Sequence, residues 1–195
     1  MSIARKPADT SVDIHPVLAE RWSPRSLDAQ ATISTEDLTG LLEAARWAPS
    51  ANNAQPWRFI IARRGEESFQ KILNSLVGFN QSWSPNASAY IVIVANMKNN
   101  DGSDRAISLY DSGLAAAFLS VEAQHRGLVV HQMAGFDHAA IASGFGLNDS
   151  QDAVIVLAIG TQAPAEALGE GPALERETAP RERLPLDELI ISGKL

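Results

Sequence analysis

The sequence contains no cysteine, which excludes disulfide bonds, thiolate metal sites and a cysteine nucleophile. It also lacks any run of about 18 apolar residues, so no bilayer-spanning helix is predicted. Positive charge is scarce: the net charge of -7 argues against a nucleic acid or an anionic membrane as partner. The first residues have no apolar signal core, and their mixed charges and prolines predict a flexible arm over 1–14 and a cytoplasmic location.

Familiar catalytic motifs are missing as well. The four histidines lack the spacing of a helical zinc pair, so no metal site is predicted; they are His15, His125, His131 and His138. "SGFG" at Ser143 has no glycine two residues before the serine, which argues against a nucleophile elbow. The paired glycines at Gly144 and Gly169 complete neither a dinucleotide-binding motif nor a phosphate loop. An enzyme built this way would take its chemistry from a cofactor.

Hydrophobic periodicity predicts alternating helices and strands in a single domain spanning 1–195. The predicted elements are helices at 34–48, 66–78, 106–126 and 137–145, and strands at 57–62, 89–95, 128–133 and 152–160. The continuous apolar run at 89–95 predicts a central strand that is buried on both faces. This alternation indicates an α/β or α+β fold with a layered sheet. The composition beyond Gly160 predicts an extended surface segment over 161–195.

Three helix features can be predicted more closely. Ser34 and Asp37 form a capping-box pattern at the start of the first long helix. Gly78 and Gly146 are predicted to end the helices before them. The segment 106–126 is apolar on most of its circumference, which predicts a helix buried all round. Its small residues favour close helix approach, either in the core or across a subunit interface.

Two basic clusters interrupt this acidic chain. "RWSPRSL" contributes Arg21, Ser23 and Arg25, and "RERLP" contributes Arg181 and Arg183. Guanidinium groups can hold a phosphate through two hydrogen bonds, and alternate residues of extended backbone lie on one side. Taken alone, these arginines are more readily interpreted as solvated surface residues than as phosphate ligands.

The order of five motifs resolves this choice. "RWSPRSL", "APSANNAQPWRFI", "FNQSW", "GFD" and "RERLP" follow one another as they do in the nitroreductase family. The sequence resembles a flavin-dependent nitroreductase from about Arg21 to Pro185. The resemblance implies an α+β fold with a central mixed sheet flanked by helices and a long buried helix at a dimer interface. It also implies a homodimer with two FMN molecules at the subunit interface, each lined by both chains.

The resemblance assigns site residues one motif at a time. Arg21, Trp22 and Ser23 match the segment at the phosphate and ribityl end of FMN, with Arg181 and Arg183 joining them. Arg25 would lie near the pyrimidine edge of the flavin, where positive charge favours the anionic reduced form. Asn80 matches an asparagine that hydrogen-bonds this side of the ring. The segment expected beside flavin N5 consists of Met133, Ala134 and Gly135. The partner subunit would contribute Pro49, Ser50, Ala51 and Asn53.

The sequence also departs from the family pattern. Well-known members have Glu-Gly where this chain has Ala134-Gly135, so only a backbone contact is expected there. The link between the strand at 89–95 and the helix at 106–126 is short, which implies a reduced lid. Some residues retain a structural interpretation: Asn80 as a turn residue, Trp57 as core, and Trp83 as either pocket lining or cover for the sheet.

The function implied by the resemblance is an FMN-dependent NAD(P)H oxidoreductase. Hydride would pass from NADH or NADPH to flavin N5, and then to a nitroaromatic, quinone or activated enone, in a ping-pong cycle. Three alternatives are a specialised desaturase or dehalogenase, a flavin-binding protein for storage or sensing, and a dimerisation module without cofactor. The sequence does not choose between NADH and NADPH.

Overall fold

The computed structural model describes residues 3–99 and 101–193 as an α+β fold around a four-stranded sheet. The strands are β1 (Trp57–Arg63), β2 (Ala89–Asn96), β3 (Val129–Met133) and β4 (Gln151–Gly160). The helices are α1 (Pro16–Glu20), α2 (Thr35–Arg46), α3 (Glu67–Ser75), α4 (Gly78–Trp83), α5 (Ser108–His125), α6 (His138–Phe145), α7 (Pro172–Thr178) and α8 (Leu186–Leu189). Short 3-10 turns lie at Ala51–Asn53, Ser84–Asn86 and Ala165–Leu168. The predicted order of long elements is confirmed.

The strand order is β1-β2-β4-β3, which places β2 between two neighbours as predicted. Seven of the eight residues of β2 are buried, since helices cover both faces of the sheet. All three strand pairs are antiparallel, so the expectation of a mixed sheet is wrong for the described residues. Alternating helices and strands do not fix strand direction, because it depends on the end at which each connection re-enters the sheet.

The side chains of β2 divide the interior into two cores. Ile91 and Ile93 point to one face, where they pack with Leu41 of α2 and Leu119 of α5. Tyr90 and Val92 alternate with them and lie in the second core with α3 and α6. The sheet is therefore covered on both sides within one chain.

Helix α5 differs from the prediction of a helix buried all round. Asp111, Ala115 and Leu119 lie on its buried face, which packs on α2 and the sheet. Its other face exposes Tyr110 (64%) and Phe118 (43%) to solvent. Apolar composition on all sides predicts burial, but it does not say whether the covering surface belongs to the same chain.

Helix ends follow the predictions in two of three places. The Ser34 hydroxyl accepts the Asp37 N–H at 2.9 Å, so the predicted cap of α2 is confirmed. Gly146 ends α6 with φ of 68°. Gly78 instead begins α4, because α3 already stops at Ser75 and Leu76 turns to an extended conformation. None of the helices in the described ranges is long and apolar enough to cross a membrane.

Neither end of the chain is the simple surface segment that the sequence predicted. The predicted extended segment contains α7 and α8, and Glu177 of α7 is fully buried. Local composition did not reveal this, because the helix forms against a distant part of the chain. The arm has no regular structure between residues 3 and 14, yet Lys6 donates to the Ala179 carbonyl at 2.7 Å. Residues 1, 2, 194 and 195, which belong to these two predicted segments, lie outside the described residues.

Candidate active site

The first basic motif forms an extended segment directly after α1. The Arg21 N–H closes the helix by donating to the Val17 carbonyl at 3.1 Å, and the Arg21 guanidinium donates to Ser23 Oγ at 3.3 Å. Further along, the Pro24 carbonyl lies 3.1 Å from Nδ1 of His131 on β3. The segment is therefore held against the edge strand of the sheet. Trp22, between the two site residues, has Lys6 Nζ at 4.4 Å from its ring centre.

Arg181 and Arg183 lie beside this segment although about 160 residues separate them from it in the chain. The pKa of Arg21 is lowered, first by burial and then by repulsion from Arg181 and Arg183. Burial and Arg183 likewise lower the pKa of Arg181, while Glu20 acts in the opposite direction. The structure thus brings together three guanidinium groups whose positive charges repel one another.

These three arginines form no salt bridge within the described part of the chain. Arg181 donates to the main-chain carbonyl of Ala19 at 2.9 Å, and Arg183 donates to that of Glu182 at 2.7 Å. Carbonyl oxygens orient the groups but do not neutralise them. Arginine clusters that no salt bridge neutralises are typical of anion-binding sites.

Arg25 lies apart from this cluster, among aromatic side chains. Its guanidinium carbon is 5.6 Å from the Phe79 ring centre and 6.0 Å from that of Trp83. Its buried Nε has no hydrogen-bond partner among the residues that the structure describes. Burial lowers the pKa of Arg25, Glu177 raises it and Arg176 lowers it. Trp83 is 2% exposed, so it belongs to the core that supports Arg25.

Asn80 meets the predicted N5 segment directly. Its side-chain amide donates from Nδ2 to the Gly135 carbonyl at 3.1 Å, and the Val77 N–H donates to the same oxygen at 3.0 Å. A Cβ on Gly135 would lie 2.7 Å from Cγ2 of Val77, so only glycine allows this approach. Asn80 lies within α4, and the alternative of a turn residue is wrong. Met133 is buried at the end of β3, while Ala134 is exposed.

The loop after α2 has an unusual backbone. Three residues other than glycine adopt positive φ: Asn52 at 53°, Asn53 at 53° and Gln55 at 46°. Such conformations cost about 1–2 kcal/mol for each L residue and concentrate at functional sites. Both carboxylate oxygens of the buried Asp111 accept the Ala51 N–H, at 3.3 and 3.2 Å. Asp111 was not among the predicted site residues, although an acid inside an apolar helix is a visible signal.

This loop stands apart from the other predicted site residues. Pro49, Ala51 and Asn53 are exposed, and Ser50 is half-buried. Among the described residues, no hydrogen bond joins them to the arginines, to Asn80 or to the segment Met133–Gly135. The loop leads into β1 and the segment Met133–Gly135 lies at the end of β3, and these two strands form opposite edges of the sheet. Trp57, at the start of β1, is 4% exposed and belongs to the core, as its structural interpretation predicted.

His131 is a titratable group behind the arginine segment that the sequence analysis did not place in the site. Its ring lies 4.5 Å from that of Trp83. Burial lowers the pKa of His131 from 6.5 to about 4; Arg25 and Arg21 add to this, whereas the carbonyls of Pro24 and Ser23 oppose it. The imidazole is neutral in the folded protein at physiological pH.

This predicts a loss of stability in mild acid. The unfolded chain binds a proton at His131 as the pH falls through about 6.5, whereas the folded chain does so only near 4. The stabilisation is complete above 6.5, and about 3 kcal/mol of it is lost by pH 4. Urea unfolding at pH 7 and 4.5 should show a smaller loss for His131→Gln than for the native protein. The exposed His125→Gln is the control; equal losses in all three proteins would contradict the prediction.

The chain is thus an α+β protein with a cluster of arginines beside the edge strand β3 and a loop after α2 in which three residues have positive φ. A model of the nitroreductase family matches residues 18–84 and 69–161. The chain belongs to this family. YdgI of Bacillus subtilis, provisionally named an NAD(P)H nitroreductase, is 30% identical over 190 residues, with 77% of this chain and 89% of that protein covered.

Two solved structures extend the comparison. An oxidoreductase containing FMN is 30% identical, with a TM-score of 0.88, and the match covers 100% of this chain and 98% of that one. A protein from Exiguobacterium sibiricum, provisionally assigned as a nitroreductase and solved in complex with FMN, is 25% identical. Its TM-score is 0.74, and the match covers 95% of this chain and 99% of that one.

Proposed function

We propose that the protein is an FMN-dependent oxidoreductase that takes electrons from NADH or NADPH. The observation that carries the proposal is the cluster of Arg21, Arg181 and Arg183, which forms no salt bridge in the described part of the chain. It lies in a protein of the nitroreductase family whose solved relatives contain FMN. A phosphate group has the charge and geometry to bind three guanidinium groups.

The remaining residues of this part of the site fit the flavin end of the cofactor. The unpartnered Nε of Arg25 offers a hydrogen-bond donor and positive charge. The side-chain nitrogen of Asn80 donates to the Gly135 carbonyl, and its side-chain oxygen accepts no hydrogen bond from the described residues. Met133, Ala134 and Gly135 would contribute main-chain groups beside the ring. These donors and acceptors suit the polar edge of the flavin ring, while the arginine cluster suits the phosphate at the other end of FMN.

A second copy of the chain would complete the site. The loop Pro49–Asn53 leads into β1, whereas the first basic motif lies against β3 at the opposite edge of the sheet, so we assign the loop to the FMN of the partner. Exposed apolar side chains support a homodimer: Tyr110 and Phe118 on α5, and Leu186 and Leu189 on α8. Large exposed apolar patches are typical of subunit interfaces.

When bound, FMN would supply the redox chemistry, taking a hydride from NAD(P)H and passing it to a nitroaromatic, quinone or activated enone that replaces NAD(P)+ in a ping-pong cycle. The protein would bind and orient both molecules. Arg25 would favour electron transfer by placing positive charge near the ring edge. The neutral Ser50 and Asn53 would line the site without repelling either substrate. A cytoplasmic location stays a prediction from the sequence.

Absorption spectroscopy tests this function. We expect the purified protein to be yellow, with FMN released on denaturation. Anaerobic NADH or NADPH should bleach the flavin band, and menadione should restore it. A flavin that stays oxidised with both donors would indicate storage or sensing, and a colourless protein that binds no added FMN would indicate a dimerisation module. Either result would contradict the proposed function.

A further inference from the structure

Glu177 is a fully buried acid in a region otherwise rich in cations. It lies on α7, and its side chain has no exposed surface. Burying a carboxylate is costly unless hydrogen bonds and positive charges compensate. Nothing in the surrounding sequence, "ALERETAP", distinguishes Glu177 from the exposed Glu175 two residues earlier. Its burial must therefore be explained by its contacts.

These contacts go to the main chain of the first basic motif. Oε2 accepts the Arg25 N–H at 2.7 Å, and Oε1 accepts the Ser26 N–H at 3.3 Å. The main-chain carbonyl of Glu177 accepts a hydrogen bond from Lys6, which ties the N-terminal arm to the same point. One side chain thus holds two consecutive amides that are more than 150 residues away in the sequence.

Charge alone does not account for an acid at this place. Burial raises the pKa of Glu177, whereas the two N–H donors, Lys6 and Arg25 lower it. A negative charge beside Arg25 weakens the field that attracts an anionic cofactor. The negative charge of Glu177 therefore opposes the binding of an anionic cofactor. Glu177 can favour that binding only by holding the main chain at Arg25 and Ser26 in a fixed position.

We propose that Glu177 is a positioning residue of the cofactor site, which fixes the main chain at Arg25 and Ser26 so that Arg21, Ser23 and Arg25 are presented together to FMN. This inference rests on the proposed function, but only on its FMN-binding part. It gives α7 a definite role: the helix links the C-terminal arginines to the N-terminal arginines through one buried hydrogen-bonded contact.

Two substitutions at this position separate geometry from charge. Glu177→Asp keeps the charge but withdraws the carboxylate by about 1.5 Å, the length of one C–C bond, so it cannot reach both amides. Glu177→Gln keeps the reach but removes the charge and leaves one oxygen for two N–H groups. Glu175→Gln, on the same helix and exposed, is the matched control for the loss of one acid.

The measurement is the FMN dissociation constant of the apoprotein, obtained from quenching of flavin fluorescence well below the unfolding temperature. We expect both Glu177 variants to bind FMN about tenfold to a hundredfold more weakly, because the Asp carboxylate no longer reaches both amides and the Gln side chain leaves one of the two N–H groups without an acceptor. Glu175→Gln should bind like the native protein. Circular dichroism would establish that each apoprotein is folded.

The opposite pattern would overturn the inference. If Glu177 acted only through its charge, Glu177→Gln would bind FMN more tightly and Glu177→Asp would be unchanged. If it served only folding, both variants would unfold at lower temperature but bind FMN normally while folded. A native protein that binds FMN without turnover contradicts the proposed function and leaves this comparison intact; one that binds no FMN contradicts both.

Discussion

Replacing Arg21 and Arg183 together with alanine is expected to weaken FMN binding by about a thousandfold, because each loses a charge-assisted hydrogen bond to phosphate. The double variant should therefore be purified colourless. Titration of its apoprotein with FMN should give the dissociation constant, and the native protein should lose affinity as salt is added. Folding should not suffer, since these groups repel one another in the absence of an anion.

The matched control removes two positive charges elsewhere. Arg46 and Lys71 are exposed, and each forms a salt bridge with an acid on its own helix. Arg46→Ala with Lys71→Ala changes the net charge equally but should keep full FMN binding. If the Arg21 and Arg183 variant retains FMN as well as this control does, the phosphate site has been placed on the wrong residues.

Mixed dimers are expected to regain one FMN site from two subunits that bind none alone. One subunit carries Arg21→Ala with Arg183→Ala, and the other carries Ala51→Trp, which fills the space beside the loop Pro49–Asn53. If each site is lined by both chains, one site of the hybrid combines all the damaged parts and the other combines all the intact ones. Either homodimer should bind almost no FMN, because every site in it has either the substituted arginines or the substituted loop.

Two different affinity tags allow the hybrid to be isolated after co-expression. Flavin absorbance per purified hybrid should correspond to about one FMN per dimer. A hybrid that combines two subunits with the arginine substitutions should stay colourless. FMN sites contained within one chain could not be rebuilt in this way, so a colourless hybrid from the two different variants would refute the shared site. Sedimentation would detect a monomer, which would refute the dimer itself.

Several parts of this fold could be predicted because local patterns determine them. The α2 helix begins where Ser34 caps it, and the unbroken apolar run of β2 places that strand in the middle of the sheet. Gly146 ends α6 because glycine adopts the left-handed conformation without strain. In each case the physical cause lies within a few residues of its effect.

For the candidate site, the sequence predicted a set of residues but not the contacts that hold them in place. Arg21, Arg181 and Arg183 stood out as cations in an acidic chain, and the order of motifs linked them to one another. Glu177 gave no such signal, because an acid in a polar segment is usually solvated. Asp111 gave a signal that was not interpreted, since helix periodicity alone does not reveal that its carboxylate supports a loop.

The sequence by itself determined the family, the elements and the basic residues that we propose as an anion site, since these depend on composition, periodicity and the order of motifs. Only the tertiary structure decided that all strand pairs are antiparallel, that α5 leaves an apolar face uncovered and that Glu177 lies buried under Arg25. These features arise from contacts between residues distant in the chain, and no short segment of sequence carries the information for them.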